Sequence, residues 1–194
     1  MYAYLQGKYS YKSPAQVYVD VNGLGFEVNI SLNTYSDIQS LNEGRLYTYL
    51  QVKEDAHVLY GFSQKEEKEI FLLLISVSGV GASTARMMLS SIKPDEISKA
   101  IVQGNVKMLE GVKGIGKKTA ERLVLELKDK IGKHITSGEM IGIVVNGIEQ
   151  DALHALTALG ISKIQAEQSI QKIMRAEPGV NNLEELIKKS LKAI

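Results

Sequence analysis

The sequence contains no cysteine and no tryptophan, and it has only three prolines and three histidines among 194 residues. Without cysteine the chain cannot form disulfide bonds, thiolate nucleophiles or cysteine-ligated zinc sites. The histidines, His57, His134 and His154, are far apart in the sequence, which disfavours a histidine metal site. No apolar run approaches the roughly 18–20 residues that cross a bilayer, and the first residues lack a signal-peptide pattern. We therefore expect a cytoplasmic protein with no metal, cofactor or membrane segment.

Aromatic residues are missing from most of the chain. All nine tyrosines lie between Tyr2 and Tyr60, and no aromatic residue follows Phe71. Charge is also uneven, because residues 104–134 carry a net charge of +4 in a chain whose overall net charge is +1. A local excess of positive charge in a nearly neutral chain indicates a delimited site for an anion.

The first part of the chain shows the period-two alternation of β-strands, as at Val17, Val19 and Val21. Asn22 begins an Asn-Gly-Leu-Gly turn between two of these strands. Five short antiparallel strands, with room for one helical turn at residues 33–42, predict a small barrel of the OB type.

Helical periodicity dominates the rest of the chain. We predict helices over Lys65–Ile75, from Pro94 to near Gly104, and over Lys117–Ile131, followed by three shorter helices in the tail. The fold class is therefore α+β. The predicted parts are a five-stranded OB-type barrel (1–63), a helical domain (64–133), a flexible linker (134–147) and a three-helix, UBA-like domain (148–194).

An internal repeat recurs in the helical domain at an offset of 35 residues. The segment Val77–Gly81 (VSGVG) matches Val112–Gly116 (VKGIG), and a Thr-Ala pair follows each copy. Two copies are too few for a solenoid, so the repeat predicts a tandem helix-hairpin-helix domain.

Such a hairpin can bind a phosphate. Its glycines permit a tight turn without side chains that block approach, and amides at the start of the next helix have no partner within the helix. These amides and the helix dipole favour a phosphate oxygen, and contacts to the DNA backbone do not read sequence. The predicted DNA contacts are Gly79, Val80, Gly81, Ser83, Thr84, Gly114, Ile115, Gly116, Lys117 and Lys118.

Other interpretations stay open at this point. The glycines can serve only as tight turns in a protein-interaction adaptor. Gly111–Lys117 fits the GxxxxGK pattern of a P-loop, but Lys118 replaces the Ser or Thr that binds magnesium. A nuclease is disfavoured because no carboxylate cluster or nucleophile dyad is present. The lack of aromatic residues after Phe71 favours duplex over single-stranded DNA, although the tyrosine-rich barrel could stack bases.

Glu54 and Asp55 lie between the last two predicted strands. Two interpretations remain for this acidic pair: plain turn residues, or a device that repels phosphates. A catalytic carboxylate pair is disfavoured, because neighbouring strand residues point to opposite faces.

Two segments carry a family resemblance: KEDAHVLYGF (Lys53–Phe62) and GVKGIGKKTAERLVLELKD (Gly111–Asp129). Together with the domain order, they resemble the RuvA family, the Holliday-junction-binding subunits of bacterial branch migration complexes. The resemblance implies a non-catalytic homotetramer, one or two per junction, that holds four-way DNA junctions open and square-planar. A RuvB ATPase hexamer would then drive branch migration in recombination, DNA repair and the SOS response, with the RuvC resolvase as a further partner.

The resemblance also implies residue roles. Glu54 and Asp55 would form an acidic pin at the crossover of the junction. Ala82 and Ser83 depart from the family pattern, which commonly has Pro-Lys after the first hairpin, so we expect that hairpin to bind through amides and hydroxyls alone. The three-helix tail would bind the RuvB ATPase. The candidate contacts in the tail are Leu156, Leu159, Gly160 and Ile161.

Overall fold

The computed structural model of the chain describes residues 2–138, 147–177, 180 and 182–194. The chain divides into two compact units, one ending at Ser137 and the other running from Gly138 to Ile194. The first unit contains a β-barrel and the helices packed against it, and the second contains three helices. Residues 139–146 of the predicted linker lie outside the described residues. No described helix has the length and apolarity that crossing a membrane would need.

Five strands form the barrel: β1 (Tyr4–Lys12), β2 (Gln16–Val21), β3 (Leu24–Ile30), β4 (Glu43–Val52) and β5 (His57–Phe62). They close in the order β1-β2-β3-β5-β4, which confirms the predicted OB-type barrel. A short helix, α1 (Leu32–Ile38), connects β3 to β4 where one helical turn is predicted. Asn22 and Gly23 make the predicted turn with φ angles of 54° and 88°.

The expectation that all five strands are antiparallel is wrong at one pair. β3 and β5 run parallel, through Asn29 opposite Tyr60 and Ile30 opposite Gly61. The reason is topological: strands that alternate in direction cannot close a ring with an odd number of members. One of the five pairings must therefore be parallel, and the helix-containing connection through α1 allows it.

Five helices follow the barrel along the chain: α2 (Lys65–Ile75), α3 (Ala82–Ser91), α4 (Pro94–Gln103), α5 (Val106–Glu110) and α6 (Lys117–Gly138). The predicted bounds of α2 and the end of α4 at Gly104 are confirmed. The helix α6 continues beyond its predicted end at Ile131 to Gly138. Gly132 lowers helix propensity by about 1 kcal/mol relative to alanine but does not by itself end a helix.

The barrel has an apolar core of its own, and two residues of β5, Tyr60 and Phe62, belong to the separate core of the helices. Phe71 of α2 is completely buried. Its ring centroid lies 4.9 Å from that of Phe62 and 5.3 Å from that of Tyr60, both in β5. The strand that follows the acidic pair therefore packs directly against the first helix of the helical domain.

The second unit contains the three predicted helices, α7 (Gly147–Ala158), α8 (Lys163–Ala176) and α9 (Leu183–Ala193). Ser162 caps α8 and Asn182 caps α9, each accepting a hydrogen bond from a first-turn amide. Gly160 has a φ of 91° in the turn after α7. The core of the unit is small: Ala152, Leu156, Ala166, Ile170, Val180 and Leu186.

Candidate nucleic-acid interface

The two copies of the repeat fold into hairpins with the same backbone geometry. The first hairpin joins α2 to α3, and the second joins α5 to α6. Gly79 and Gly114 have φ angles of 93° and 94°, which only glycine adopts without strain. A hydrogen bond closes each turn, donated by Val80 at 3.1 Å in the first and by Ile115 at 3.0 Å in the second. The sequence repeat is therefore a repeat of structure.

Apolar side chains hold both turns in the core of the first unit. Val80 and Ile115 are each only 5% exposed. Ala85 and Ala120, one turn into the following helices, are completely buried. Because the side chains of Val80 and Ile115 are buried and their amides close the turns, neither group is available to DNA. We therefore remove these two residues from the predicted contacts and assign them to the hairpin itself.

The hairpins lie side by side in a reciprocal arrangement, in which the turn of each approaches a threonine of the other. A Cβ atom added to Gly79 would lie 4.0 Å from Oγ1 of Thr119, and one added to Gly114 would lie 3.9 Å from Cγ2 of Thr84. The two threonines hold equivalent positions in the repeat, so the pairing is that of an approximate two-fold axis. Arg122 adds a further link, donating from Nη1 to the carbonyl oxygen of Ser78 at 3.3 Å.

The tips of both hairpins are open. A Cβ atom added to Gly81 or Gly116 would meet nothing within 4 Å. Gly81 caps α3 in an extended conformation, and no side chain caps the amides of that helix. The first-turn amides of a helix lack partners within the helix, and the helix dipole makes them attractive to an anion. The predicted contacts Ser83 and Thr84 lie in this first turn.

Positive charge is concentrated at the second hairpin. Lys113, Lys117 and Lys118 are all exposed there. The first hairpin has Ser78, Ala82 and Ser83 at the corresponding positions. The expectation that the first hairpin binds through amides and hydroxyls alone stays a prediction, which the lack of lysine at these three positions supports.

Sequence reasoning missed two functional candidates at this surface. Arg122 joins the two hairpins through the bond to Ser78, and no local pattern marks it. Lys113 lies within the VKGIG segment, so its place in the repeat was a usable signal.

The segment Gly111–Lys117 follows the helix α5, whereas a P-loop follows a β-strand. The P-loop geometry is therefore absent here.

Glu54 and Asp55 lie at the tip of the β4–β5 hairpin. The loop is closed by a hydrogen bond of 2.8 Å from the amide of Lys53 to the carbonyl oxygen of Ala56. Both acidic side chains are exposed. Within the part of the chain that the structure describes, neither forms an ion pair. Lys53 lies beside them in the loop, so the tip keeps an excess of negative charge.

The predicted partner contacts in the second unit fall into two groups. Leu159 is 65% exposed, Gly160 is exposed and Ile161 is half-buried. Leu156 is completely buried in the core of the unit, so its prediction as a contact residue is corrected. Sequence reasoning missed Ile164, which is 68% exposed on α8 near the same turn.

A closed OB-type barrel fused to two reciprocally paired hairpins places this chain in the class of tandem helix-hairpin-helix proteins. Three family models match it. The RuvA N terminal domain matches residues 1–61, the SAM-like helix-hairpin-helix tandem matches residues 71–129, and the RuvA C-terminal domain matches residues 147–194.

Curated relatives align over the whole length of the chain. A protein of Christiangramia forsetii is 46% identical, with 100% of both chains covered. One of Bacteroides fragilis is 44% identical, also with 100% of both covered. One of Trichlorobacter lovleyi is 40% identical over 100% of this chain and 99% of its own. Each is named Holliday junction branch migration complex subunit RuvA. The chain belongs to the RuvA family, as its sequence motifs predict.

Proposed function

We propose that this protein binds four-way DNA junctions as a homotetramer, without reading their sequence, and holds them open and square-planar. The observation that carries the proposal is the pairing of two open hairpins with an exposed acidic loop in one compact unit. The names of the relatives, which place them in a Holliday junction branch migration complex, support the same conclusion.

The paired hairpins bind one duplex arm through its phosphates. Amide N–H groups near Gly81 and Gly116 donate hydrogen bonds to phosphate oxygens, and Lys117 and Lys118 neutralise the charge of neighbouring phosphates. Contacts of this kind hold any sequence equally well, because the backbone is the same for every base pair.

The acidic loop acts where the strands cross. The exposed carboxylates of Glu54 and Asp55 repel the phosphates of the crossover and keep the arms apart. The positively charged hairpins thus attract the duplex arms, and the negatively charged loop excludes strands from the centre of the junction.

A tetramer fits the symmetry of the ligand. One chain carries one pair of hairpins and one acidic loop, whereas a junction has four arms, so four copies supply one pair for each arm. The barrel retains large exposed side chains that subunit contacts can cover. They are Tyr2, Tyr4, Tyr11, Tyr18 and Leu24.

The second unit recruits the motor. Leu159, Gly160, Ile161 and Ile164 form an exposed apolar surface around the turn after α7, which suits a RuvB-type ATPase hexamer. ATP hydrolysis then belongs to the partner and no catalytic step to this chain. A RuvC-type resolvase completes the cytoplasmic assembly.

The test is a competition between a four-way junction and a linear duplex with the same arm sequences, without ATP, across a salt series. We expect strong preference for the junction, indifferent to arm sequence. Equal affinity for both DNA forms would contradict the proposal and favour general duplex binding. Failure to bind either form at low salt would favour an adaptor that binds only proteins.

Neutralising the acidic loop tests its role separately. The variant Glu54→Gln with Asp55→Asn should bind the junction as tightly as the unmodified protein, or more tightly, because repulsion of phosphates is removed. Strand separation at the crossover, followed by base fluorescence, should decrease. Weaker junction binding would instead indicate that the pair is needed for the loop structure.

A further inference from the structure

Arg86 links the helix of the first hairpin to the barrel. It lies one turn into α3, and its Nη1 donates to the carbonyl oxygen of Ala15 at 3.0 Å and to Oδ1 of Asn29 at 2.9 Å. Ala15 lies between β1 and β2, and Asn29 lies in β3. Hydrogen bonds from a guanidinium group are directional and among the stronger ones in proteins.

Asn29 carries this link on to β5. Its Nδ2 donates to the carbonyl oxygen of Leu59 at 3.4 Å, and the residue faces Tyr60 in the short parallel pairing of β3 with β5. The strand β5 begins directly after the loop that holds the acidic pair. A chain of hydrogen bonds thus runs from the first hairpin to the strand that carries the acidic loop.

The C-terminal half of α3 is held to the barrel by α1. Nδ2 of Asn33 donates to the carbonyl oxygens of Leu89 at 2.5 Å and Ile92 at 3.3 Å. The amide of Leu32 donates to Oγ of Ser90 at 3.1 Å. These bonds require particular distances and angles, so they limit the sliding that a purely apolar contact would allow.

The second copy of the repeat has no arginine at the position equivalent to Arg86. Glu121 occupies the position of Arg86 in the second copy, and it is exposed. Between Lys117 and Ile131, the part of α6 whose side chains the structure describes, no side chain is hydrogen-bonded to a strand of the barrel. The attachment is therefore a property of the first copy.

We propose that Arg86 is a positioning residue that fixes the first hairpin relative to the acidic loop, and that preference for junctions over linear duplex depends on this link. The inference rests on the proposed function. A linear duplex meets only the hairpins, whereas in a junction an acidic loop displaced from the crossover would bring its carboxylates against the phosphates of the arms. Loosening the link therefore weakens junction binding more than duplex binding.

The experiment compares junction and duplex affinities of the full-length protein with those of Arg86→Gln, at a temperature where circular dichroism shows both folded. We expect junction affinity to fall roughly five- to tenfold and duplex affinity by less than about twofold. The salt dependence of duplex binding should not change, because Arg86 binds the barrel rather than phosphate. A merely structural residue would lower both affinities together.

A double-mutant cycle with Asn29→Leu sharpens the test. Because both residues act through one chain of bonds, the double variant should lose no more junction preference than the stronger single variant. If Arg86→Gln does not fold, Arg86→Lys serves instead, since lysine keeps the charge but not the planar guanidinium geometry. Equal losses for the two DNA forms, a changed salt dependence or additive losses would overturn the proposal. The unmodified protein tests the proposed function separately, through its own junction preference.

Discussion

The two hairpins share a backbone but not a surface. Gly79 and Gly114 differ by one degree in φ, at 93° and 94°. The second hairpin carries three exposed lysines where the first carries serine, alanine and serine. The helix after the first hairpin is bonded to the barrel through Arg86, and its counterpart after the second hairpin has the exposed Glu121.

This comparison teaches that geometry and charge are separable in the repeat. The glycine pattern and the buried apolar positions set the turn in both copies. The residues around the turn can differ more freely, because all of them except the buried Ala82 are exposed. We infer a division of labour in which the second hairpin supplies positive charge and the first supplies alignment with the acidic loop.

Removing the charge of the second hairpin should produce the largest effect. With Lys117→Ala and Lys118→Ala together, two phosphate contacts are lost, so the slope of log affinity against log salt should fall by about 1.8. The loss of affinity should then be about twelvefold greater at 50 mM than at 200 mM salt. Every junction sequence should be affected alike. Fluorescence anisotropy over a salt series measures both quantities.

The matched variant at the first hairpin adds a lysine instead of removing one, so it should have the opposite effect on the salt dependence. Ser83 stands where the second copy has Lys118 and is exposed, so Ser83→Lys should add one contact and increase the slope by about 0.9. An unchanged slope in both variants would break the assignment of these positions to phosphates. A change in one alone would show that the two hairpins do not meet DNA equivalently.

Alanine at the paired glycines should have the next largest effect, on folding. A φ near 93° costs a residue with a Cβ atom about 1–2 kcal/mol, and no neighbouring atom lies closer than 3.9 Å to the new Cβ. Gly79→Ala and Gly114→Ala should therefore lower the free energy of unfolding by similar amounts. Urea denaturation followed by circular dichroism measures the change.

Gly81 and Gly116 provide the control for this prediction. Neither has a positive φ, and each would place its Cβ atom in open space. Alanine at these two positions should leave the unfolding free energy nearly unchanged while weakening DNA binding, because the Cβ atom stands where phosphate approaches. A large loss of stability in the control would mean that the open tips have a structural role.

Local signals were enough to predict much of this architecture. Period-two alternation gave the strands, and the helix bounds at Lys65 and Gly104 follow from charge, proline and glycine. The five-residue helix α5 was missed because it is too short to show a period. The parallel strand pair was missed because it follows from closing the ring, which no single strand reveals.

The candidate site was predictable only where it repeats. The glycines and the lysine pair were visible in the sequence, and the pairing of Thr84 with the second hairpin was not. Arg86 and Asn29 are 57 positions apart, so their contact depends on the tertiary fold. Leu156 was misassigned although Ala152 precedes it at helical spacing, a pattern that indicates the buried face.

The smallest expected effect concerns a further anchor of the first hairpin, at Glu67 in α2. This carboxyl is 2% exposed, and it accepts hydrogen bonds from the hydroxyls of Ser31 and, at 2.6 Å, Thr34 at the start of α1. Burial raises the pKa of Glu67 above its ordinary value of 4.5, against the opposing effect of the two hydroxyls. The second copy has Val102 at the equivalent position, so this anchor also belongs to one hairpin alone.

Because the pKa of Glu67 is raised, its contribution to the stability of the fold depends on pH in a predictable direction. The native state holds the proton of Glu67 more tightly than the unfolded state, so this group stabilises the fold fully below pH 4.5. That contribution declines as pH rises through the native pKa. The free energy of unfolding in urea is measured at several pH values for the unmodified protein and for Glu67→Gln. As pH rises, the unmodified protein should lose stability relative to the variant. Glu69→Gln, on the exposed face of the same helix, controls for loss of charge. If the unmodified protein instead gains stability over the variant as pH rises, Glu67 is stabilised in its ionised form in the native state. That result would contradict the predicted role of Glu67 as a neutral acid.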